Sequence, residues 1–213
     1  WMDKIAKEIE PQNLGPGLLA QSGDRMLERG EFKKAEEFYR ELMTAFPKSE
    51  LLDFAYNGLG EIAMHEKKYE DALKLYDDAV EKIGANVKLK DVTLGKARAL
   101  FELGKLDEAK EIFEQVAGTK SWKGQVTAEA IFYLGDIALK KNDYVKALDW
   151  FQRVALSYQR YPSAVAKAYL RSADCLEKQG KKEEAQKQLE ELVAKEKLST
   201  FPEYEIARKR LGK

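Results

Sequence analysis

Five copies of one short pattern recur at a nearly fixed interval. They read Gly30-Glu31-Phe32-Lys33-Lys34-Ala35, Lys67-Lys68-Tyr69-Glu70-Asp71-Ala72, Gly104-Lys105-Leu106-Asp107-Glu108-Ala109, Asn142-Asp143-Tyr144-Val145-Lys146-Ala147 and Gly180-Lys181-Lys182-Glu183-Glu184-Ala185. The shared alanine stands at 35, 72, 109, 147 and 185, in steps of 37, 37, 38 and 38 residues. A period of this size predicts a solenoid of stacked helical units, in which each unit covers the apolar face of the next. Such an array offers an extended binding surface and rarely builds a reaction centre.

Each period resolves into two amphipathic stretches. Upstream of the alanine, Tyr56, Leu59, Gly60 and Ala63 in the second copy match Ile131, Leu134, Gly135 and Ala138 in the fourth. Downstream, Tyr69, Ala72, Tyr76 and Ala79 match Tyr144, Ala147, Phe151 and Val154. Residues three and four apart share one face of a helix. The small residues Gly60, Ala72, Gly135 and Ala147 are expected where two helix backbones approach closely. Between the helices sits a short polar break, which holds Gly30, Gly104 and Gly180 in three copies. Glycine there ends a helix in the left-handed conformation at little cost.

Composition narrows the functional classes. The 213 residues carry 37 basic and 37 acidic side chains and no formal net charge, which weakens the case for nucleic acid. No run approaches the ~18 apolar residues of a membrane span. Cys175 is the only cysteine, so a disulfide framework within the chain is excluded. It falls in the first helix of the fifth copy, between Ala173 and Leu176, and reads as a small buried thiol. Only one histidine is present, so neither a zinc-protease helix at His65-Glu66 nor a Ser-His-Asp triad can be assembled. His65 reads as a solvated residue near a helix end, with Glu61 one turn earlier as its neighbour. Gly58-Leu59-Gly60-Glu61-Ile62-Ala63 satisfies a loose dinucleotide-binding pattern, but that motif must follow a strand, whereas here it lies inside a predicted helix. Neither a cofactor nor a metal is expected.

The first-helix and second-helix patterns together resemble the tetratricopeptide repeat family over nearly the whole chain. The second and fourth copies match that family's pattern well. The first matches at Leu19, Gly23, Met26, Phe32, Ala35, Tyr39 and Pro47, and the third and fifth depart from it at Lys96 and Ser172. The resemblance implies an all-α, right-handed superhelical solenoid of antiparallel helix pairs, with about twelve helices and no sheet. The pairs are expected at about 16–49, 53–86, 90–123, 128–161 and 166–199. Residues 200–213 are expected to form a capping helix, with Tyr204, Ala207 and Leu211 as its apolar stripe. Residues 1–15 read as the end of a truncated preceding repeat, and a chain that starts at Trp1 suggests a missing native N-terminus. The period exceeds the usual ~34 residues. With the aromatic-proline junctions Phe46-Pro47 and Tyr161-Pro162, it loosely resembles the repeats of bacterial cell-envelope proteins, the outer-membrane assembly lipoproteins and the Tol-Pal periplasmic factor. The compartment stays open between envelope and cytoplasm.

The family's concave groove is lined by first helices. On this chain Asp24, Glu61, Arg98, Asp136 and Asp174 stand one residue after the small position of each first helix. The resemblance therefore places an acidic ladder, interrupted by one arginine, on the partner-facing side. Phe54, Asn57, Phe101, Phe132, Tyr133 and Arg171 fall beside it, as do Leu94 and Leu170, and about half of the apolar ones are expected to pack between repeats. The family's chaperone-tail clamp is incomplete: Lys167 and Arg171 match its last part, but Tyr133 stands where an asparagine is needed.

These residues lead to a non-catalytic protein-interaction scaffold whose partner segment is basic and apolar. One alternative is an RNA-binding helical repeat, which calls for a basic groove and base-reading side chains in each repeat. Others are an accessory subunit of an envelope assembly and an enzyme with an edge pocket near Trp1, Trp122 and Trp150. The partner's identity and the oligomeric state are not legible.

Overall fold

Each repeat period becomes two helices joined by a turn of fixed geometry. The computed structural model describes residues 9–83 and 89–212. Eleven α-helices and no strands occur among them. They are α1 (Pro16–Glu28), α2 (Phe32–Ala45), α3 (Leu52–His65), α4 (Tyr69–Ile83), α5 (Lys90–Glu102), α6 (Leu106–Gly118), α7 (Gln125–Lys140), α8 (Tyr144–Ser157), α9 (Pro162–Lys178), α10 (Lys182–Ala194) and α11 (Pro202–Arg210). The chain divides into two units, residues 1–109 and 110–213, with the boundary inside α6. Of the segment expected to end a preceding repeat, residues 1–8 lie outside the described residues, and Pro11–Asn13 forms a single 3-10 turn.

Five turns inside the helix pairs share one design. Gly30, Lys67, Gly104, Asn142 and Gly180 all have positive φ, between 59° and 79°. In each, the following N–H closes a bond to a carbonyl five residues back: Glu31 to Met26, Lys68 to Ala63, Lys105 to Leu100, Asp143 to Ala138 and Lys181 to Leu176. This double-bonded ending satisfies carbonyls that a helix terminus otherwise leaves without partners. Glycine occupies the left-handed position three times, and lysine and asparagine fill it in the two remaining copies.

In the first unit α1 packs on α2, α2 on α3, α3 on α4 and α4 on α5, and α1 also touches α3 as α3 touches α5. The first helices thus stand side by side with the second helices behind them. The core is built from the apolar stripes, among them Leu19, Met26, Ala35, Tyr39, Ala72 and Tyr76, all fully buried. Tyr39 and Tyr76 decide how closely the helices approach. A Cβ added at Gly23 or Gly58 would lie 2.5 or 2.2 Å from the Tyr39 ring. At Gly60 or Gly95 it would lie 2.4 Å from the Tyr76 ring. Each tyrosine is therefore held between glycines of two successive first helices. This also accounts for the apparent dinucleotide motif, since Gly58 and Gly60 sit inside α3 against these rings.

In the second unit α7, α8, α9, α10 and α11 pack in sequence, and α7 also touches α9 as α9 touches α11. Phe151 fills the place of the two tyrosines and lies 2.6 Å from where a Cβ of Gly135 would stand. Ala147, Val154, Tyr169, Leu189 and Leu198 complete the same core. Cys175 belongs to it too. It is fully buried, and burial pushes its thiol pKa up to about 12, so the thiolate needed for reactivity is suppressed. Trp122 is buried, Trp150 is partly covered by the Arg153 guanidinium 5.6 Å from its ring, and Trp1 lies outside the described residues.

Candidate functional site

The residues that follow the small positions are held differently in the two units. In the first unit the second-helix aromatic carries a hydroxyl, which reaches the acid fifteen residues earlier. Tyr39 Oη donates to Asp24 at 2.7 Å, and Tyr76 Oη donates to Glu61 at 3.3 Å. Glu61 also accepts from Arg98 of the next first helix at 2.7 Å, an ion pair about one quarter exposed on each side. His65 is exposed at the end of α3, as its place near a helix end implies, and its ring packs on Phe32 with centroids 4.1 Å apart, while Glu61 one turn earlier pairs with Arg98.

In the second unit the aromatic position is Phe151, which has no hydroxyl, and the acids turn to arginines. Arg171 lies 3.4 Å from Asp136 and 3.6 Å from Asp174. Arg210 of α11 reaches Asp174 at 2.7 Å and Glu177 at 2.6 Å. Tyr133 stacks on Phe113 with centroids 4.9 Å apart, and Phe132 packs on Phe151 at 5.2 Å. Both rings are half-buried, so each presents one side outward and uses the other for packing. Phe101 and Leu94 are buried, 6% and 5% exposed, and belong to the packing rather than to a partner-facing surface.

One open cleft of about 330 Å³ lies within the first unit. Asp24, Glu28, Asp53 and Asp91 supply four carboxylates to its lining. Leu27, Phe54 and Val92 supply apolar surface, and Phe54 is 43% exposed. Asn57 also lines it, and its buried Oδ1 has no hydrogen-bond partner among the described residues. Three residues singled out in the sequence, Asp24, Phe54 and Asn57, thus meet here. Glu28, Asp53 and Asp91 were not singled out. Asp53 and Asp91 open α3 and α5, where an acid normally reads as a complement to the helix dipole.

The acidity of this unit is general. Residues 1–109 hold 22 acidic and 17 basic side chains, and residues 110–213 hold 15 and 20. Formal neutrality of the whole chain conceals an acidic half and a basic half. Burial raises the Asp24 carboxyl above the usual aspartate range. The Tyr39 hydrogen bond opposes that rise, and the charges of Glu28 and Asp53 add to it.

A measurable consequence follows from linkage. With its folded pKa raised, Asp24 binds its proton more tightly in the folded than in the unfolded chain, so ionisation at neutral pH costs stability. Asp24→Asn retains an acceptor for Tyr39 and is expected to melt above the parent at pH 7. The gap should close as pH falls through the folded pKa toward the ordinary aspartate value. Thermal denaturation between pH 4 and 8 checks this. A variant that melts lower at pH 7 would show that the Tyr39 bond to the carboxylate outweighs burial.

No group of three or more histidine, cysteine or acidic side chains placed to hold a metal occurs among the described residues. No helix among them is long and apolar enough to cross a membrane.

Helix pairs with a common left-handed turn and a glycine-seated aromatic define a class, the all-α helix-pair repeat proteins. Within that class the chain belongs to the tetratricopeptide repeat family. Family profiles described as tetratricopeptide repeat match residues 63–120, 94–165 and 167–199. Solved structures share the fold at low identity. BtubC (BKLC) from P. vanneervenii is 16% identical with a TM-score of 0.70, covering 84% of this chain and 78% of its own. Pseudomonas aeruginosa pilF is 20% identical with a TM-score of 0.69, covering 84% and 75%. YrrB, described as a TPR protein with an unusual peptide-binding site, is 16% identical with a TM-score of 0.56 and covers 91% of both chains. No curated protein sequence matches the chain significantly.

Proposed function

We propose that this chain is a non-catalytic scaffold whose helix pairs hold a segment of a partner protein against the faces of their first helices. The observation that carries this reading is the alignment of α1, α3 and α5 in the first unit. It places Asp24, Asn57, Glu61 and Arg98 with the exposed Phe54 on adjoining first helices. Charged side chains on fixed helices steer a partner, and aromatic residues supply the anchoring area. The second unit offers Phe132, Tyr133, Asp136, Arg171 and Asp174 as a separate contact face of mixed charge. The peptide-binding description of YrrB supports the same use of this fold. Helix α11 packs on α9 and α10, and in this reading it closes the array. An RNA-binding use gains no support from an acidic first unit.

A photo-reactive phenylalanine analogue at position 54 tests the scaffold reading. The control carries the same group at Leu156, which is 72% exposed on α8. Irradiation in native lysate should give an adduct from position 54 that mass spectrometry places on one continuous segment of one protein. Position 156 should give none. Equal labelling from both positions, or adducts with nucleic acid, would refute the scaffold.

A further inference from the structure

We propose that the cleft of the first unit receives a cationic side chain, lysine or arginine, with an apolar residue beside it, from the partner segment. This assignment rests on the scaffold reading and adds the chemistry of the partner. The polar side chains that line the cleft are the four carboxylates of Asp24, Glu28, Asp53 and Asp91 and the Asn57 amide. An ionised carboxylate only accepts hydrogen bonds, and lysine and arginine head groups only donate them. The Asn57 amide lines the cleft beside the carboxylates, with its Oδ1 buried beneath the surface.

The apolar part of the lining decides between a cationic side chain and a bare ion. Leu27, Phe54 and Val92 form a low-dielectric wall beside the carboxylates, which strengthens the field acting on a cation. They also offer surface to the aliphatic stem of lysine or arginine and to an apolar neighbour. A metal ion needs converging oxygen ligands instead, and no group placed to hold one occurs among the described residues. The excess of acids over bases in residues 1–109 favours the approach of a basic segment over an acidic one.

The test uses the ¹⁵N-labelled full chain and four short neutral-backbone peptides. They differ only in a central pair: Arg-Leu, Lys-Leu, Gln-Leu or Glu-Leu. The Arg-Leu and Lys-Leu peptides are expected to shift the amides of Asp24, Phe54, Asn57 and Asp91 in a saturable way. Their affinity should exceed that of the Gln-Leu peptide by about tenfold or more and fall severalfold between 50 and 300 mM NaCl. Asp53→Asn combined with Asp91→Asn should abolish the preference for Arg-Leu over Gln-Leu. Phe54→Ala, at an exposed position, supplies a second variant that retains the fold and is expected to weaken the Arg-Leu peptide severalfold.

Equal binding of the Gln-Leu or Glu-Leu peptide would overturn the assignment, as would shifts confined to other residues. Calcium chloride that shifts the same amides and displaces the peptide would make the cleft a metal site. The cross-linking result separates the two claims. A partner segment captured at position 54 that contains neither lysine nor arginine leaves the scaffold standing and removes the cationic assignment. Equal labelling at positions 54 and 156 removes the scaffold itself.

Discussion

Tyr76→Ala lowers the stability of the first unit by about 3–5 kcal/mol, the range for truncating a fully buried aromatic side chain. Tyr76→Phe costs no more than ~0.5–1.5 kcal/mol, the net value of one hydrogen bond. The ring is fully buried and sits against α3 at Gly60 and α5 at Gly95. Alanine therefore opens a cavity bounded by two helix backbones, which cannot collapse without moving both. Phenylalanine keeps the ring and loses only the 3.3 Å bond to Glu61, which Arg98 continues to hold. Urea denaturation of the three proteins separates the contributions. Equal losses for the two variants would place the energy in the hydroxyl rather than in the ring.

Gly60→Ala is expected to reverse the usual sign of a glycine-to-alanine change in a helix. Inside an exposed helix that change stabilises by roughly 0.8–1.0 kcal/mol, because alanine loses less backbone freedom on folding. At position 60 the new Cβ would lie 2.4 Å from the buried Tyr76 ring, which has no room to withdraw. Overpacking of this kind costs about 1–3 kcal/mol. Gly17 in α1 is the internal control, since a Cβ there meets nothing within 4 Å. Gly17→Ala should raise the denaturation midpoint while Gly60→Ala lowers it. The same sign for both would mean that Gly60 is not the seat of Tyr76.

Much of this architecture is periodic, and periodic features are legible in one dimension. The apolar stripes, the small residues at Gly60, Ala72, Gly135 and Ala147, and the glycine turns recur at one spacing because every unit solves the same packing problem. All four small residues are buried, as the spacing implies. The same register extends the turn to Asn142, a residue type that tolerates the left-handed conformation, and to Lys67, which does not favour it. At Lys67 the positive φ is imposed by the helices on either side.

The candidate surface is less legible, because it depends on how neighbouring helices are rotated. The ladder of Asp24, Glu61, Asp136 and Asp174 is visible in the sequence, but the partner of each acid is not. Whether the aromatic fifteen residues later is Tyr39 or Phe151 decides whether a hydroxyl reaches the acid at all. The reach of Arg98, Arg171 and Arg210 to acids 35 to 37 residues earlier exists only once successive repeats are stacked. Phe101 has the composition of an anchor, and its position on α5 buries it.

Sequence alone determined the helix pairs, their spacing, the turn between them and the family, since each follows from short-range periodicity and from the residue types that periodicity demands. Tertiary structure alone decided which charges are exposed and which are paired. It also brought Asp53 and Asp91, two helix-opening acids, to the cleft shared with Asp24, Phe54 and Asn57. The physical reason is range. Helix periodicity acts over three or four residues, whereas the field in a cleft is the sum of charges that only packing brings together.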